Sequence, residues 1–507
     1  MNEITVTAAR SSKKTVLNLV CSVAEHLISG GIALFLTPFL IDRLGIELYG
    51  LYPIVLELAA LLGIAFGVVN STSGRYIAVE AERGNAENAS KYFCSAFFSN
   101  VAIGIMLLLP MGLAVGFSNR FLEIPAGAVG ELKVFMILAF SAVAVDALAA
   151  AFGSVYYITN RLDLRAGQQL VSVVVKATLL ALLLFVFEPS VISVGIAILV
   201  SSAVGSAIQI VVSRRLTPSL TLSFSEFSLS ATRRLMASGL WYSFNRVASV
   251  MMCGALLIMA NSFFKPAVSG DYSVAFVSVN ALSGVIMTLA AVFVPVSAKC
   301  FARGERNRLR DSLARDEKVV GYFAAVAVSV SVAFCGDFFR LWLGEEASRL
   351  LITLSAVLLV PTLSLACATP IINVGMVMNR TRKLSLLFLC GGLLTLAAAL
   401  AVIFFTDMGI VGLAAVSCAA QIVWYSVAVP CFACKVLACS PKIFFFPILR
   451  TYLAALAAFG VCLGLQAVCK INSWIEFIIV GGAAAVVAGV VAFFCVFKAF
   501  DNFKIRL

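Results

Sequence analysis

Charge is scarce in this sequence. Lys, Arg, Asp and Glu make up 12% of the 507 residues, about half the share of about 25% usual in a soluble domain. Apolar residues reach 62%, so a water-soluble globule is excluded. Gly and Pro are too few, at 35 and 13 residues, for a collagen-like chain, and apolar residues are too many for a disordered one. The short alternating strands of about 10 residues that build an outer-membrane barrel are missing. Also missing are a G-x-x-x-x-G-K-[ST] loop to cradle ATP phosphates and a G-x-S-x-G nucleophile elbow. An ATP-driven pump of this kind would need a separate subunit. Histidine is reduced to one residue, His26. The Cys431-x-x-Cys434 pair, with Cys439 nearby, therefore has no imidazole close in sequence. Helix-end packing is the plain reading of these thiols, and zinc or redox chemistry the alternative. The fourteen Cys fall mostly inside apolar runs, where Cys acts as a small hydrophobe; they do not suggest a disulfide framework.

What the chain does have is continuous apolar runs of about twenty residues, the length that crosses a bilayer as a helix. They predict an all-α polytopic membrane protein with spans at 16–41, 48–69, 92–117, 132–157, 169–187, 191–212, 237–260, 272–298, 319–336, 350–374, 385–406, 411–433, 447–469 and 475–497. Lys13 and Lys14 precede a long run with no small-residue cleavage site after it, so the first run reads as a span and not as a signal peptide.

The net charge of +12 is distributed with the topology. If the N-terminus is inside, the outer segments hold only Arg43, Arg120, Lys133, Lys265, Arg340, Arg349 and Lys470. Apart from Lys176 and Arg246, which lie within spans, every other basic residue falls on inner segments, from Lys13 and Lys14 to Lys504 and Arg506. This is the positive-inside pattern, and it predicts both termini in the cytoplasm. The excess charge thus argues for orientation and not for nucleic acid. The densest inner loop, 299–318, reads as topogenic charge with anionic headgroup contact.

Four segments follow: an N-terminal lobe 1–212, an inner linker 213–236 ending in an amphipathic helix that carries Arg233 and Arg234, a C-terminal lobe 237–433, and an added helix pair with its tail at 434–507. The lobes look like repeats. Arg83-Gly84 and Arg303-Gly304 are 220 residues apart, and Tyr49 and Tyr272 are 223 apart. Transporters are commonly built from such repeats, with the substrate site between them.

Five ionisable residues besides His26 lie well inside spans: Glu25, Glu57, Asp146, Lys176 and Arg246. A charge at a helix centre costs roughly 2.5–3.5 kcal/mol on insertion scales, so each must face protein or water. Glu25 and Arg246 each lie nine residues into equivalent spans, and read either as cavity-lining groups or as a structural pair. The guanidinium of Arg246 is a planar fork suited to a diphosphate. Asp146 and Lys176 differ in depth by four residues, about 6 Å of helix rise; they suit a pair, and Lys176 is the second phosphate candidate. Glu57 has no evident partner and is an ion-coupling candidate. His26 reads as a packed polar residue before a relay. Asn245, with Asn18, Asn280, Asn373 and Gln421, could bond to a sugar or between helices.

Several stretches have a familiar order. They are the run from Asn18 to Phe39, Leu44-Gly45-x-x-x-Tyr49-Gly50, Arg75-Tyr76-Ile77-Ala78 before the turn at Gly84, Phe339-Arg340-Leu341-Trp342-Leu343-Gly344, and Asp407-Met408-Gly409-Ile410-Val411-Gly412. In layout along nearly the whole chain the sequence resembles bacterial polysaccharide or O-antigen flippases, of the superfamily that includes multidrug and toxin extrusion exporters. The resemblance implies two six-helix lobes in a V plus a terminal helix pair, with a cationic central cavity facing each side in turn. The implied cargo is an undecaprenyl-diphosphate-linked oligosaccharide for surface polysaccharide or lipopolysaccharide, moved across the bacterial cytoplasmic membrane with no enzymatic step, cofactor or metal. Arg246 fits the cationic cavity; two deep basic residues against three acids depart from it. Membrane lipids and other polysaccharide-assembly proteins are the implied partners, and nucleic acid is not. The rivals are a cation-coupled multidrug antiporter using Glu25, Glu57 and Asp146, and a membrane polymerase or ligase, which would need a larger outer loop than these of about 14 residues.

Overall fold

The computed structural model describes residues 2–498 apart from 126, 160, 345, 346, 379 and 380. Fourteen long helices follow one another: α1 (Val20–Leu44, the apolar part of Asn2–Leu44), α2 (Ile46–Glu82), α3 (Ala86–Gly116), α4 (Val129–Ile158), α5 (Leu162–Val186), α6 (Val191–Leu216), α7 (Leu229–Phe263), α8 (Pro266–Ala291), α9 (Arg306–Ala333), α10 (Arg349–Ile372), α11 (Arg382–Phe405), α12 (Gly409–Leu437), α13 (Lys442–Val468) and α14 (Trp474–Phe497). Thirteen are long and apolar enough to cross a membrane alone. The fourteenth, α9, passes together with Cys335–Leu343, from which it is bent by 61°. Each of the fourteen predicted spans falls on one of these helices, and among the described residues there is no strand. The protein is an all-α, multi-pass membrane protein.

The polar breaks in the sequence act as helix starts. Asn85, Ser190, Ser228, Ser348 and Ser473 each accept a hydrogen bond from a backbone N–H of the helix they precede. This satisfies one of the donors that a helix start leaves open. Pro266 opens α8, where its missing N–H is harmless.

The chain folds as two compact units, Met1–Val250 and Met251–Leu507. The division falls at a π-turn, Val250–Gly254, inside α7, later in the chain than the linker at 213–236. The reason is the packing of the first half of α7 onto α2, at a glycine described below. Nor does the linker form an amphipathic helix of its own. Between α6 and α7 lies one three-residue 3-10 turn, Phe224–Glu226, and Arg233 and Arg234 already belong to α7. The linker is held on α3: the Ser228 N–H donates to Ser95 Oγ (3.0 Å), and Ser95 Oγ donates to the Ser228 carbonyl (3.2 Å). The Phe98 ring meets Phe224 edge-on at 5.1 Å.

The repeated Arg-Gly pairs adopt one conformation. Gly84 and Gly304 have φ of 73° and 72°, preceded by Arg83 and Arg303 in near-identical helical geometry. The hydrogen bonds match as well: Gly84 N–H to the Ala81 carbonyl (3.0 Å) and Gly304 N–H to the Phe301 carbonyl (3.0 Å). Positive φ is costly for any residue with a Cβ, by roughly 1–2 kcal/mol. Gly304→Ala is accordingly expected to lower stability by about that amount, read as a fall in the melting temperature of the purified protein. Gly482→Ala, whose new Cβ meets nothing within 4 Å, serves as the control and leaves it unchanged.

Candidate functional site

The charged centre of the first unit is set by how closely α2 and α7 approach. Gly239 leaves so little room that a Cβ there would lie 1.9 Å from the Val68 carbonyl oxygen. On either side the helices exchange polar contacts in antiparallel register. Thr72 Oγ1 donates to the Leu235 carbonyl (3.3 Å), and Ser243 Oγ donates to the Ile64 carbonyl (3.3 Å). Tyr76 and Ser238 share a hydroxyl–hydroxyl bond of 2.9 Å. Further along, Arg246 lies one turn beyond Ser243 and Glu57 two turns beyond Ile64, within electrostatic range of each other.

Arg246 is the middle residue of the 35-residue helix Leu229–Phe263, and its side chain is exposed on the helix surface. Its guanidinium acts electrostatically on the half-buried Glu57. Among the described residues no direct ion pair joins them. The arrangement is a cation held near a counter-charge but with its donors open, the state in which a bidentate anion can be accepted.

This proximity was not expected from the sequence, and among the described residues the two pairings that were considered are absent. Glu25 accepts from Ser29 Oγ, one turn along its own helix (2.9 Å), and among the described residues it makes no ion pair with Arg246. Asp146 is not paired with Lys176. Its two carboxylate oxygens accept from Ser202 (3.0 Å) and Ser206 (3.3 Å), one turn apart on α6. Lys176 is half-buried without a hydrogen-bond or ion-pair partner among the described residues. His26 is exposed, whereas packing among neighbours was the expectation, and Asn245 is half-buried. The side chains of Asn18 and Asn373 lie outside the described residues.

Beside Asp146 runs a polar line that hydropathy alone does not reveal. Asn100 is fully buried and donates to Asn70 Oδ1 (2.8 Å) and to the Ala147 carbonyl (2.7 Å). Gln209 donates to the Ala149 carbonyl (2.6 Å). The signal available was the presence of carboxamides within apolar spans. If serines and not Lys176 hold Asp146, then Asp146→Ala and Lys176→Ala should change unfolding free energy additively, within about 0.5 kcal/mol, and Asp146→Ala with Ser202→Ala should not. A double-mutant cycle measures both.

The fold is that of membrane transporters. Over 93% of this chain and 97% of the other, it superimposes on the lipid II flippase MurJ in an inward closed conformation, with a TM-score of 0.67 at 14% identity. It matches an inward-facing multidrug resistance MATE family transporter of the MOP superfamily over 83% of this chain and 98% of the other, with a TM-score of 0.60 at 15% identity. In sequence it is 22% identical over 485 residues, 95% of each chain, to the uncharacterized membrane protein EpsK of Bacillus subtilis. Residues 17–301 match the family of polysaccharide biosynthesis proteins, and the chain belongs to that family.

Proposed function

We propose that this protein is a flippase that moves an undecaprenyl-diphosphate-linked oligosaccharide across the bacterial cytoplasmic membrane by alternating access, for surface polysaccharide such as O-antigen. The observation that carries the reading is Arg246, a guanidinium at mid-span with its donors open in a chain of the polysaccharide biosynthesis family. A diphosphate satisfies such a fork, and Lys176 adds a second cation. The sugar head travels shielded from hydrocarbon while the polyprenyl tail stays in lipid, because polar groups are costly to bring into an apolar phase. The excess of basic residues on the segments assigned to the inner side supports a topology with both termini in the cytoplasm. Transport alone requires no bond to be made or broken, so no catalytic group or cofactor is assigned. The antiporter reading is less well supported, since Asp146 already accepts two hydroxyls and Glu57 stands beside Arg246.

The test is reconstitution of the full chain in lipid vesicles with a polyprenyl-diphosphate oligosaccharide bearing a fluorophore on the sugar. An impermeant quencher added outside should extinguish nearly all the signal when protein is present and about half when it is absent. Half in both cases overturns the proposal.

A further inference from the structure

The cysteines at the end of α12 are not used by the transport reading. Cys431 is exposed, Cys434 is buried and Cys439 is half-buried. The Cys434 thiol is within electrostatic range of Cys439, Cys431 and Glu317. The backbone explains how residues five apart meet. Ala438 is the only non-glycine residue with positive φ among the described residues (φ 51°, ψ 49°), and the Cys439 N–H donates to the Cys434 carbonyl at 3.2 Å. This is the wrapped helix ending in which the residue after the left-handed position folds back on the last turn. The two positions whose apolar side chains usually face each other there are both cysteines here. Glycine is the usual residue at the left-handed position; an alanine holds it against its own preference.

We infer that Cys434 and Cys439 form a reversible disulfide, a redox modification site that ties the end of α12 to the turn leading into α13. A metal centre does not compete, since no group of three or more His, Cys, Asp or Glu among the described residues has a metal-binding arrangement. The oxidant is a low-molecular-weight disulfide. Cys439, the more accessible thiol of the pair, attacks as thiolate on one sulfur of that disulfide. The S–S bond breaks, one small thiolate leaves, and it takes up the proton that Cys439 lost. Cys434 then gives up its proton and attacks Cys439 Sγ, forming the internal S–S bond and expelling the second small thiol. Two thiol hydrogens and two electrons pass to the oxidant, which leaves as two thiols. Cys431, three residues before Cys434 on the same helix, is not part of the bond.

The experiment uses native membranes containing the full chain, incubated with glutathione disulfide. Free thiols are then blocked with a maleimide under denaturing conditions, and the chain is digested for mass spectrometry. The expected result is a Cys434–Cys439 linkage in the unmodified chain, lost on treatment with dithiothreitol. It should persist in Cys431→Ser and be absent from Cys439→Ser. Recovery of both Cys434 and Cys439 as maleimide adducts overturns the inference. So does a lasting glutathione adduct on Cys439, or a Cys431–Cys434 linkage in its place. The measurement on the unmodified chain decides the matter even if a variant fails to accumulate.

Discussion

Replacing Arg246 by alanine is expected to abolish surface polysaccharide while leaving the protein in the membrane at normal abundance. The residue stands at the middle of a 35-residue helix, is exposed on its surface, and among the described residues makes no direct ion pair. What alanine removes is a charge-assisted double hydrogen bond to phosphate. Such bonds contribute about 1.5–3 kcal/mol each, so substrate affinity should fall by at least about tenfold and, if both are lost, by 100-fold or more. Arg246→Lys keeps the charge but not the planar fork and should retain partial export. Glu57→Gln removes the counter-charge and leaves the fork, and should reduce export less than Arg246→Ala. Polymer display in cells lacking the native gene, together with immunoblots of the membrane fraction, reads all three. Normal polymer with Arg246→Ala would sink the proposed role.

Gly239→Val should have the largest effect on the fold itself. A Cβ at this position meets a backbone oxygen at 1.9 Å, and backbone cannot swing aside as a side-chain tip can. The helices must separate, breaking the Leu235–Thr72 and Ser243–Ile64 contacts on either side. Overpacking typically costs about 1–3 kcal/mol and occasionally more, and two flanking hydrogen bonds are lost besides. The expected outcome is failure to accumulate, seen as loss of the monodisperse peak in size-exclusion chromatography. Gly482→Val, with open space around its Cβ, should behave as the unmodified protein. Normal accumulation of Gly239→Val would show that α2 and α7 are not in this close contact.

The fourteen spans were legible in the sequence because the bilayer sets their length and excludes charge from them, and both constraints act residue by residue. Their packing partners were less legible. Counting residues from the membrane face gave Asp146 and Lys176 similar depths but said nothing of the direction in which each side chain points. Ser202 and Ser206, one turn apart on α6, meet that carboxylate instead. The proximity of Glu57 to Arg246 depends on the register that Gly239 permits, and a glycine in an apolar run has no hydropathy signature. The amphipathic helix expected near Arg233 and Arg234 was inferred from polarity. The backbone simply carries α7 out past the apolar stretch, as it does α9 through the polar residues from Arg306 to Lys318. The Arg-Gly pairs, by contrast, were marked by their spacing of 220 residues, and the structure adds that both glycines take the left-handed conformation, which glycine adopts without strain.

The matched turns at Gly84 and Gly304 have one more consequence. They act as a ruler with which the two stretches of sequence can be laid against each other, residue by residue. At a spacing of 221, Glu25 falls opposite Arg246; at 220, Phe97 falls opposite the fully buried Glu317. The turns match in backbone geometry while the sign and presence of charge differ. At these two matched positions one stretch holds an ionisable group where the other has the opposite charge or none.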